Sequence, residues 1–542
     1  MIKPRLALGL DVSTQSLSAV VLDIDEREKL IELSLDYLKD ERLNSFGIRE
    51  PDYILPPRTE GEADQPPLMF LAALDSVLFE LKKSVPLEKV AVINISGQQH
   101  GHVYLNSTAS SGFAVLNRAG SEASNLTSLL KDSLAYERAP IWMTADTGTQ
   151  ASFIRNNSGG KERLIKLSGS DAPLRFTGLV IRRTAENFPD IYERTSIIQL
   201  ISSFIPAALT GNANVAVDFG NACGMSLMNY RSKRWSDTLL QAASRGLPGG
   251  KNALRTRLPE ITAPDATAGR IAEYFVNKYG FNRKCLIVPG SGDNPQSKVL
   301  ISGDLLSLGS SFVFMVATDG KTIDRTGAAC AMYDGIGRPF MFGCRTNGAL
   351  VWDQLRALYG MHKEDYAPAE ATLKLAPVGQ NMVLWQPRDE SFPSSGKFDL
   401  TRLNNYSPDL AGDYAGIIES SLAAVYYHSK SFSRSSGEPL YVTGGATGSP
   451  SIMRRVAAIW NRPLVMTGKG GAALGAAVAG ISAYYKSTGE EFKVEEYSEA
   501  VLPRGEMVEP KSEDVSAFHS PGGYLDRFAK EEAGLIKKYP PG

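Results

Sequence analysis

The sequence predicts a mixed α/β protein made of two related domains, and three observations support this. Two apolar runs at residues 5–12 and 17–23, separated by the polar segment 13–16, predict a β-hairpin. Residues 306–312 can be aligned with residues 8–14, so the hairpin pattern returns in the second half. Apolar runs of strand length also alternate with segments of helical spacing. The two hairpins predict two domains, each presenting its turn to one shared cleft.

The remaining elements are assigned from the same periodicities and from start and stop signals. Predicted strands cover residues 90–95, 285–288, 305–308, 439–442 and 464–466. Predicted helices cover residues 68–81, 197–209, 270–279, 452–460, 472–485 and 525–538, and helical patterns fill much of 147–187. Residues 105–139 are rich in Ser, Ala and Asn, which predicts an excursion over the surface.

Composition and net charge indicate which partners and which compartment to expect. The 542 residues include 58 basic and 59 acidic side chains, a net charge of -1 that indicates no nucleic-acid or membrane partner. No apolar run approaches the roughly 18 residues that a membrane helix needs. Four widely spaced cysteines without a Cys-x-x-Cys pair are typical of a reducing compartment. We therefore expect a cytoplasmic protein with a small-molecule partner.

A candidate general base and a candidate phosphate site lie close together in the sequence. Asp293 follows the apolar run 285–288, and glycine on its N-terminal side leaves room for the carboxylate to face a cleft. Gly309, Ser310 and Ser311 follow the next predicted strand, where small residues leave N–H groups and hydroxyls free for an anion. The alternative is that both segments are ordinary surface turns.

Asp11 is the single charged residue between Leu6 and Val12. A carboxylate at this hairpin could hold Mg²⁺ beside the phosphates of a nucleotide. Ser13, Thr14 and Gln15 would then donate to those phosphates. The alternative is an aspartate that caps the N–H groups of its own turn.

Polar side chains also follow the predicted strand 90–95, in the segment Gln98–His102. Polar groups at the carboxyl end of a strand often line a crevice for a small ligand. Its two histidines, His100 and His102, are two residues apart and point to opposite faces of a strand, which disfavours a shared metal. We expect His100 to face the ligand.

There are three further candidates, and the first two have structural alternatives of similar weight. Asp146, which comes shortly after Trp142, could be the N-cap of a helix. Arg175 has apolar neighbours and could form a buried salt bridge. The Gly444-Gly445 turn lies between a predicted strand and a predicted helix, a suitable place for an adenosine.

Nine segments, in order along the chain, resemble the FGGY family of carbohydrate kinases, and within it the kinases of xylulose most closely. The segments are Gly9–Gln15, Ser96–Gly101, Pro140–Trp142, Arg175–Thr177, Gly292–Pro295, Ser307–Ser311, Asn347–Gly348, Thr443–Ala446 and Ala473–Ala477. The resemblance implies two actin-like (ribonuclease-H-like) domains with sugar and MgATP in a cleft between them. Residues 1–300 would carry most of the sugar site and the catalytic Asp, and residues 301–542 most of the nucleotide site.

The resemblance also assigns roles to residues. Asp293 is the implied general base, and Asp11 is the implied residue that organises Mg²⁺. The implied sugar contacts are Gln99, His100, Gly101, Trp142, Asp146, Arg175, Asp293 and Asn294. The implied phosphate and nucleotide contacts are Ser13, Thr14, Gln15, Gly309, Ser310, Ser311, Gly444, Gly445 and Ser449. The implied reaction is ATP-dependent phosphorylation of a ketopentose, D-xylulose first, at O5, by a monomer or homodimer.

Two departures and three other functions stay open. Thr144 stands where many relatives have Asp, so Asp146 either replaces that carboxylate or is a bystander. Ser449 stands where an Asn is common. The other functions are phosphorylation of ribulose, a pentitol or glycerol, a chaperone-like or filament-forming ATPase of the same fold, and a non-catalytic sugar sensor. The presence of both Asp11 and Asp293 argues against a sensor.

Overall fold

A computed structural model describes residues 5–120, 122–403, 406, 408–433, 437–468 and 471–541. The strands are β1 (Leu6–Val12), β2 (Ser16–Asp23), β3 (Glu28–Asp36), β4 (Asp64–Gln65), β5 (Val90–Gly97), β6 (His102–Asn106), β7 (Ala139–Pro140), β8 (Thr195–Leu200), β9 (Val217–Asp218), β10 (Met228–Asn229), β11 (Arg234–Trp235), β12 (Ile261–Thr262), β13 (Gly269–Arg270), β14 (Leu286–Ile287), β15 (Ser291–Gly292), β16 (Leu305–Leu308), β17 (Phe312–Ala317), β18 (Cys330–Tyr333), β19 (Pro339–Arg345), β20 (Val383–Gln386), β21 (Glu390–Ser391), β22 (Ser394–Ser395), β23 (Phe398–Arg402), β24 (Leu440–Thr443), β25 (Leu464–Thr467) and β26 (Arg504–Val508).

The helices are α1 (Pro67–Leu81), α2 (Ala109–Ala114), α3 (Leu126–Leu130), α4 (Gly148–Asn157), α5 (Lys161–Ser168), α6 (Thr177–Asn187), α7 (Pro189–Arg194), α8 (Ile201–Thr210), α9 (Phe219–Ala222), α10 (Asp237–Ser244), α11 (Gly250–Arg257), α12 (Glu273–Tyr279), α13 (Asp293–Lys298), α14 (Ala349–Leu358), α15 (Tyr366–Leu375), α16 (Leu410–Ser429), α17 (Pro450–Trp460), α18 (Ala472–Thr488), α19 (Val494–Val501), α20 (Ser512–His519) and α21 (Tyr524–Lys538). Among the described helices, none has the length and apolarity needed to cross a membrane.

The chain divides into two compact units, each built around a β-sheet, which confirms the predicted mixed α/β fold class. The first unit comprises Met1–Leu300, Ala331–Pro339 and Gly470–Val501, and the second comprises Ile301–Cys330, Phe340–Lys469 and Leu502–Gly542. The division predicted at residue 300 assigned everything after it to one domain. In the structure, residues 331–339 and 470–501 belong to the first unit.

The sheet of the first unit has the order β13-β14-β5-β1-β2-β3, and β15 also pairs with β5. β1 and β2 form the antiparallel hairpin that the sequence predicts. β5 is parallel to both β1 and β15, with Ser96 opposite Asp11 on one side and opposite Ser291 on the other. Because parallel strands end at the same edge of a sheet, Asp11 and the residue after β15, Asp293, come to one edge.

Helix α18 covers part of this sheet at close range. A Cβ atom on Gly9 of β1 would lie 2.0 Å from the carbonyl oxygen of Ala473 and 2.5 Å from the N atom of Ala477. Asn94 of β5 donates its Nδ2–H to the carbonyl of Ala476 at 3.0 Å. Glycine at position 9 is therefore required by the helix–sheet distance.

The second unit repeats the design of the first. Its strands follow the order β19-β17-β16-β24-β25-β26, with β16 and β17 antiparallel and β24 parallel to β16. The β16–β17 pair is the second hairpin predicted from the sequence, and its turn is residues 309–311. β16, with an antiparallel hairpin partner on one side and a parallel strand on the other, corresponds to β1 of the first unit.

Two predictions from local pattern are wrong. The helix predicted at 197–209 is a strand, β8, followed by α8, and β8 pairs antiparallel with β6. The segment 105–139 does not run only over the surface, because Phe113 and Leu116 are fully buried in the core of the first unit. The predicted helix at 270–279 begins later, at Glu273.

Candidate active site

Asp293 is the first residue of α13, directly after β15. The sequence placed it on a turn at a strand end, and the structure makes it the start of a helix. A Cβ on the preceding Gly292 would lie 2.8 Å from Cγ of Gln99 and 3.1 Å from Oδ1 of Asn221, so glycine is needed there. Oδ1 of Asp293 accepts the N–H of Asn294 at 2.9 Å.

Burial raises the pKa of Asp293 to about 6. Backbone N–H groups of Asn294 and Gln99, together with the positive charge of Arg175, oppose this rise. A carboxyl group with this pKa is mostly ionised at neutral pH yet still accepts a proton readily, which is the property of a general base.

Asp11 lies at the same sheet edge, where Ser96 donates its hydroxyl to Oδ1 at 2.6 Å. Burial raises the pKa of Asp11 to about 7, and the negative charge of Asp293 raises it further. No ion pair of Asp11 occurs among the described residues. Two neighbouring carboxylates, of which Asp11 has no ion pair among the described residues, are an environment that a divalent cation would stabilise.

His100 is held as a neutral ring with a defined tautomer. Its Nδ1 lies 2.8 Å from the carbonyl of Gly224, and a carbonyl only accepts, so Nδ1 carries the proton. Burial lowers the pKa of His100 to about 3, and the charge of Arg175 lowers it further. The ring stacks on Phe176 with centroids 4.5 Å apart. Nε2 is therefore a fixed hydrogen-bond acceptor, suited to a hydroxyl of a ligand.

Three other predicted sugar residues lie near this histidine. Nδ2 of Asn294 donates to Oε1 of Gln99 at 3.0 Å, which orients the amide of Gln99. Arg175 precedes α6 and is half-buried. It has no hydrogen bond or ion pair among the described residues, so the alternative of a buried salt bridge is not found. The structure thus places Gln99, His100, Asn294 and Arg175 around Asp293.

Gly101 has a packing role, because a Cβ there would lie 2.5 Å from Cδ1 of Ile201. Asp146 forms an ion pair with Arg183, whose Nη2 lies 2.6 Å from its Oδ2. The side chain of Arg183 is only 2% exposed and also contacts Glu62 at 3.3 Å. This ion pair accounts for Asp146 without a sugar and favours the bystander alternative.

Trp142 lies beside the turn of the first hairpin. Its Nε1–H donates to Oγ1 of Thr14 at 2.9 Å. A cavity of about 400 Å³ is lined by Ser13, Thr14, Gln15, Ser16, Pro51, Asp52, Trp142 and Met143. The structure therefore brings the predicted phosphate turn and the predicted sugar residue Trp142 to one cavity.

The turn Ser13–Gln15 offers backbone donors. The hydroxyl of Ser13 is used within the turn, donating to the carbonyl of Ser16 at 2.9 Å. The backbone N–H groups of Thr14 and Gln15 make no hydrogen bond within the described part of the chain. Consecutive free N–H groups in a turn form an anion-binding concavity.

The corresponding turn of the second unit is Gly309–Ser311. Ser310 and Ser311 are exposed, and their N–H groups likewise make no hydrogen bond among the residues described. The turn packs on Gly348, where a Cβ would lie 2.8 Å from the carbonyl oxygen of Ser310. Gly309 accepts the N–H of Ala349 at 3.1 Å.

Glu390 stabilises the segment behind this turn, and sequence analysis missed it. Its carboxylate accepts the N–H of Thr346 at 2.7 Å, the N–H of Asn347 at 2.9 Å and Nδ2–H of Asn347 at 2.9 Å. The residue is 4% exposed. No predicted strand or motif lies close to Glu390 in the sequence, so the sequence offers no signal for this role.

The predicted nucleotide residues after β24 differ in what they contact. Gly444 has φ of 109°, and a Cβ there would lie 2.4 Å from the carbonyl of Leu308, so no other residue fits. Gly445 is unobstructed. Ser449 is the N-cap of α17, where it accepts the N–H of Ile452 at 3.2 Å and donates to Glu370. The hydroxyl of Ser449 is therefore already engaged by the protein.

The first unit contains carboxylates suited to the Mg²⁺ that the sequence predicts. The described residues contain no cluster of three or more His, Cys, Asp or Glu side chains suited to a metal. Mg²⁺ at phosphate-transfer sites is typically held by one or two carboxylates, with phosphate oxygens and water completing its shell. Asp11, with Asp293 near it, supplies such a set.

Comparisons with known proteins identify a family for the chain. The FGGY family of carbohydrate kinases matches by its N-terminal domain over residues 121–299 and by its C-terminal domain over residues 384–484. The chain is similar to a "Probable D-xylulose kinase A" of Aspergillus flavus, with 27% identity over 577 residues that cover 98% of each chain.

Solved structures share the fold of the chain. A xylulose kinase and a gluconate kinase, both from Lactobacillus acidophilus, superpose with TM-scores of 0.78 and 0.79, each at 17% identity. The superpositions cover 98% and 99% of this chain and 99% of each kinase. With both domains of one family matched in order, the resemblance found in the sequence is confirmed, and the chain belongs to the FGGY family of carbohydrate kinases.

Proposed function

We propose that this carbohydrate kinase transfers the γ-phosphoryl group of ATP to O5 of D-xylulose, forming D-xylulose 5-phosphate and ADP. The observation that carries the proposal is the grouping of an ionisable base, Asp293, with a neutral imidazole acceptor, His100, and an unpaired guanidinium, Arg175. Such a pocket suits a polar, uncharged polyol. The name of the Aspergillus flavus relative, which aligns along 98% of both chains, supports xylulose as that sugar.

In the proposed mechanism, the O5 hydroxyl attacks the γ-phosphorus while Asp293 accepts the hydroxyl proton. His100 accepts a hydrogen bond from a sugar hydroxyl through Nε2, and Arg175 donates to sugar oxygens. Phosphoryl transfer requires chiefly positioning and charge stabilisation, so holding O5 in line with the γ-phosphate supplies much of the rate. General-base assistance contributes about 10²–10⁴ in rate.

We further propose that Asp11 organises Mg²⁺ and that the turns Ser13–Gln15 and Gly309–Ser311 hold phosphates through backbone N–H groups. When bound, Mg²⁺ would neutralise charge on the phosphate oxygens. Gly444 and Gly445 are proposed to lie under the adenosine, where the absence of side chains leaves a flat surface. A cytoplasmic location and a monomeric or homodimeric state stay predictions.

A screen of acceptors tests this function. We expect ATP consumption to be fastest with D-xylulose, measured as ADP release from the purified protein with Mg²⁺. Ribulose, xylitol, arabinitol, glycerol and gluconate serve as the competing acceptors. Faster turnover of any of these would overturn the choice of sugar, and ADP release that is independent of every sugar would instead indicate an ATPase.

The pH dependence of kcat/KM is expected to show an acid limb near pH 6. The folded pKa of Asp293 is about 6, so protonation below that pH removes the base and lowers the rate, while the rate is unaffected by this group at higher pH. Asp11, with a pKa of about 7, titrates in the same direction and steepens the limb. His100, with a pKa of about 3, does not contribute in this range.

The measurement is kcat/KM for the sugar from pH 5 to 8, with circular dichroism at each pH to confirm folding. Increasing Mg²⁺ should shift the limb to lower pH, since the cation competes with protons at Asp11. A flat profile across this range in folded protein would contradict the assignment of Asp293 as base.

A further inference from the structure

Three side chains of the first unit, Thr14, Gln65 and Gln98, form a closed hydrogen-bonded ring, called here the Gln65 ring. Oγ1 of Thr14 donates to Oε1 of Gln98 at 3.2 Å, and Nε2 of Gln98 donates to Oε1 of Gln65 at 2.7 Å. Nε2 of Gln65 donates back to the carbonyl of Thr14 at 2.7 Å. Gln65 is 0% exposed and Gln98 is 2% exposed.

The direction of every hydrogen bond in the ring is determined. The second hydrogen on Nε2 of Gln65 goes to the carbonyl of Tyr53 at 2.6 Å. Because the carbonyls of Thr14 and Tyr53 can only accept, the nitrogen of Gln65 must face them and its oxygen must face Gln98. The amide of Gln98 then turns its own oxygen to Thr14, so the hydroxyl of Thr14 must donate to it.

This direction leaves the hydroxyl of Thr14 without a proton for a phosphate. One of its two lone pairs accepts Nε1–H of Trp142, so the indole N–H is also committed within the protein. A nucleotide phosphate at this turn can therefore be held by the backbone N–H groups of Thr14 and Gln15 but not by the hydroxyl of Thr14. The side chain of Thr14 serves to fix the turn.

We propose that Gln65, through this ring, is a positioning residue that holds the Ser13–Gln15 turn in the geometry needed to bind the phosphates of ATP. The inference rests on the proposed kinase function. Gln65 is not itself a proposed sugar or phosphate contact; it acts on Thr14, directly through the carbonyl and by way of Gln98 through the hydroxyl. It lies on β4, outside every segment that resembles the family.

The ring should act more on the nucleotide than on the sugar. The sugar-binding segment after β5 has its own anchors: the N–H of Gln98 donates to Val12 at 2.9 Å, Nδ1 of His100 donates to Gly224 at 2.8 Å, and Gln99 accepts from Asn294 at 3.0 Å. At Gln15 the turn is anchored by the N–H of Tyr37, which donates to the carbonyl of Gln15 at 2.9 Å, whereas at Thr14 it is anchored by Gln65, Gln98 and Trp142. Loss of Gln65 therefore frees the turn while the sugar contacts stay in place.

The test is a double-mutant cycle with Gln65→Leu and Thr14→Val. Each substitution removes the polar side chain of one member of the Gln65 ring. Each single variant is expected to raise the KM for ATP by about tenfold or more, because a displacement of about 1 Å can cost up to about 100-fold in rate. Sugar affinity, measured by calorimetry, should change less than about twofold. The double variant should be no worse than the poorer single variant, since both interrupt the same unit.

Gln241→Leu is the matched control, because Gln241 is exposed on α10 of the same unit and the same change there should leave the ATP affinity unaltered. Thr14→Ser, which keeps the hydroxyl, is the comparison for Thr14→Val. If the increases in the KM for ATP multiply in the double variant, the proposal is overturned, because independent effects indicate that Thr14 contacts phosphate directly. Single variants with an unchanged KM for ATP would also overturn the proposal. If Gln65→Leu does not fold, the comparison of Thr14→Val with Thr14→Ser decides: equal ATP affinities contradict the ring.

Calorimetric ATP binding separates this inference from the proposed function. If the original protein phosphorylates none of the sugars, the proposed function fails, and ATP affinity in the variants still tests the ring. If the original protein phosphorylates xylulose and the variants bind ATP normally, only the inference fails.

Discussion

Replacing Asp293 with alanine or asparagine is expected to lower kcat by about 10²–10⁴ or more, the contribution typical of a general base. The reason is that the neighbouring carboxylate, Asp11, is assigned to the cation, which leaves Asp293 as the group that accepts the proton. Sugar affinity should fall much less, because His100 and Arg175 are unchanged. Single-turnover phosphate transfer and calorimetric sugar binding measure the two effects separately.

Asp237→Asn is the matched control for this substitution. Asp237 lies in the same unit at the start of α10, and its side chain is 85% exposed, so the same chemical change there should leave kcat and stability unaltered. A kcat near that of the original protein in Asp293→Ala, with sugar still bound, would exclude Asp293 as the base. A loss of thermal stability parallel to the loss of kcat would also count against a chemical role.

Replacing Glu419 with alanine is expected to destabilise the second unit by about 3–5 kcal/mol, the cost of leaving the partner of a buried ion pair uncompensated. Nε of Arg455 lies 2.9 Å from Oε1 of Glu419, and the two side chains are 2% and 0% exposed. Glu419 also accepts the N–H of Gly379 at 3.0 Å. Its removal therefore leaves the buried guanidinium charge of Arg455 uncompensated, and leaves Nε–H of Arg455 and the N–H of Gly379 without an acceptor.

Urea unfolding measures this free energy. The double variant Glu419→Leu with Arg455→Leu should recover most of the loss, because replacing both charges removes the unpaired one. Glu32→Ala is the contrasting control: Lys29 and Glu32 form an exposed pair at 2.7 Å, with 43% and 61% exposure, so the expected loss is below about 1 kcal/mol. Equal losses in Glu419→Ala and Glu32→Ala would refute the importance of burial.

Much of the fold could be predicted because its strands and helices follow local patterns. The hairpin of β1 and β2 was predicted from alternating apolar residues around a polar turn, and α1 from helical spacing. The segment Thr195–Thr210 could not be divided from sequence, since short apolar runs interrupted by a few polar residues do not distinguish a buried strand from a buried helix. Its first part becomes β8 because β6 lies beside it, which is a tertiary contact absent from any local pattern.

Site residues that follow the end of a strand could be predicted from the sequence. Residues that act only by orienting other residues could not. Asp11, His100 and Asp293 end or follow strands, so sheet geometry alone brings them together. Gln65 and Glu390 were missed because each orients a backbone segment far away in sequence: Gln65 the turn at Thr14, and Glu390 the segment at Thr346. Polar residues of this kind have no motif of their own.

The packing of α18 on β1 constrains how the polypeptide can fold while it is being made. Domains commonly fold from the N-terminus as the ribosome releases them. Here the carbonyl of Ala473 fills the space above Gly9, 464 positions earlier. The packing of the first unit therefore cannot be completed until residue 488 has been translated and α18 has left the ribosomal tunnel.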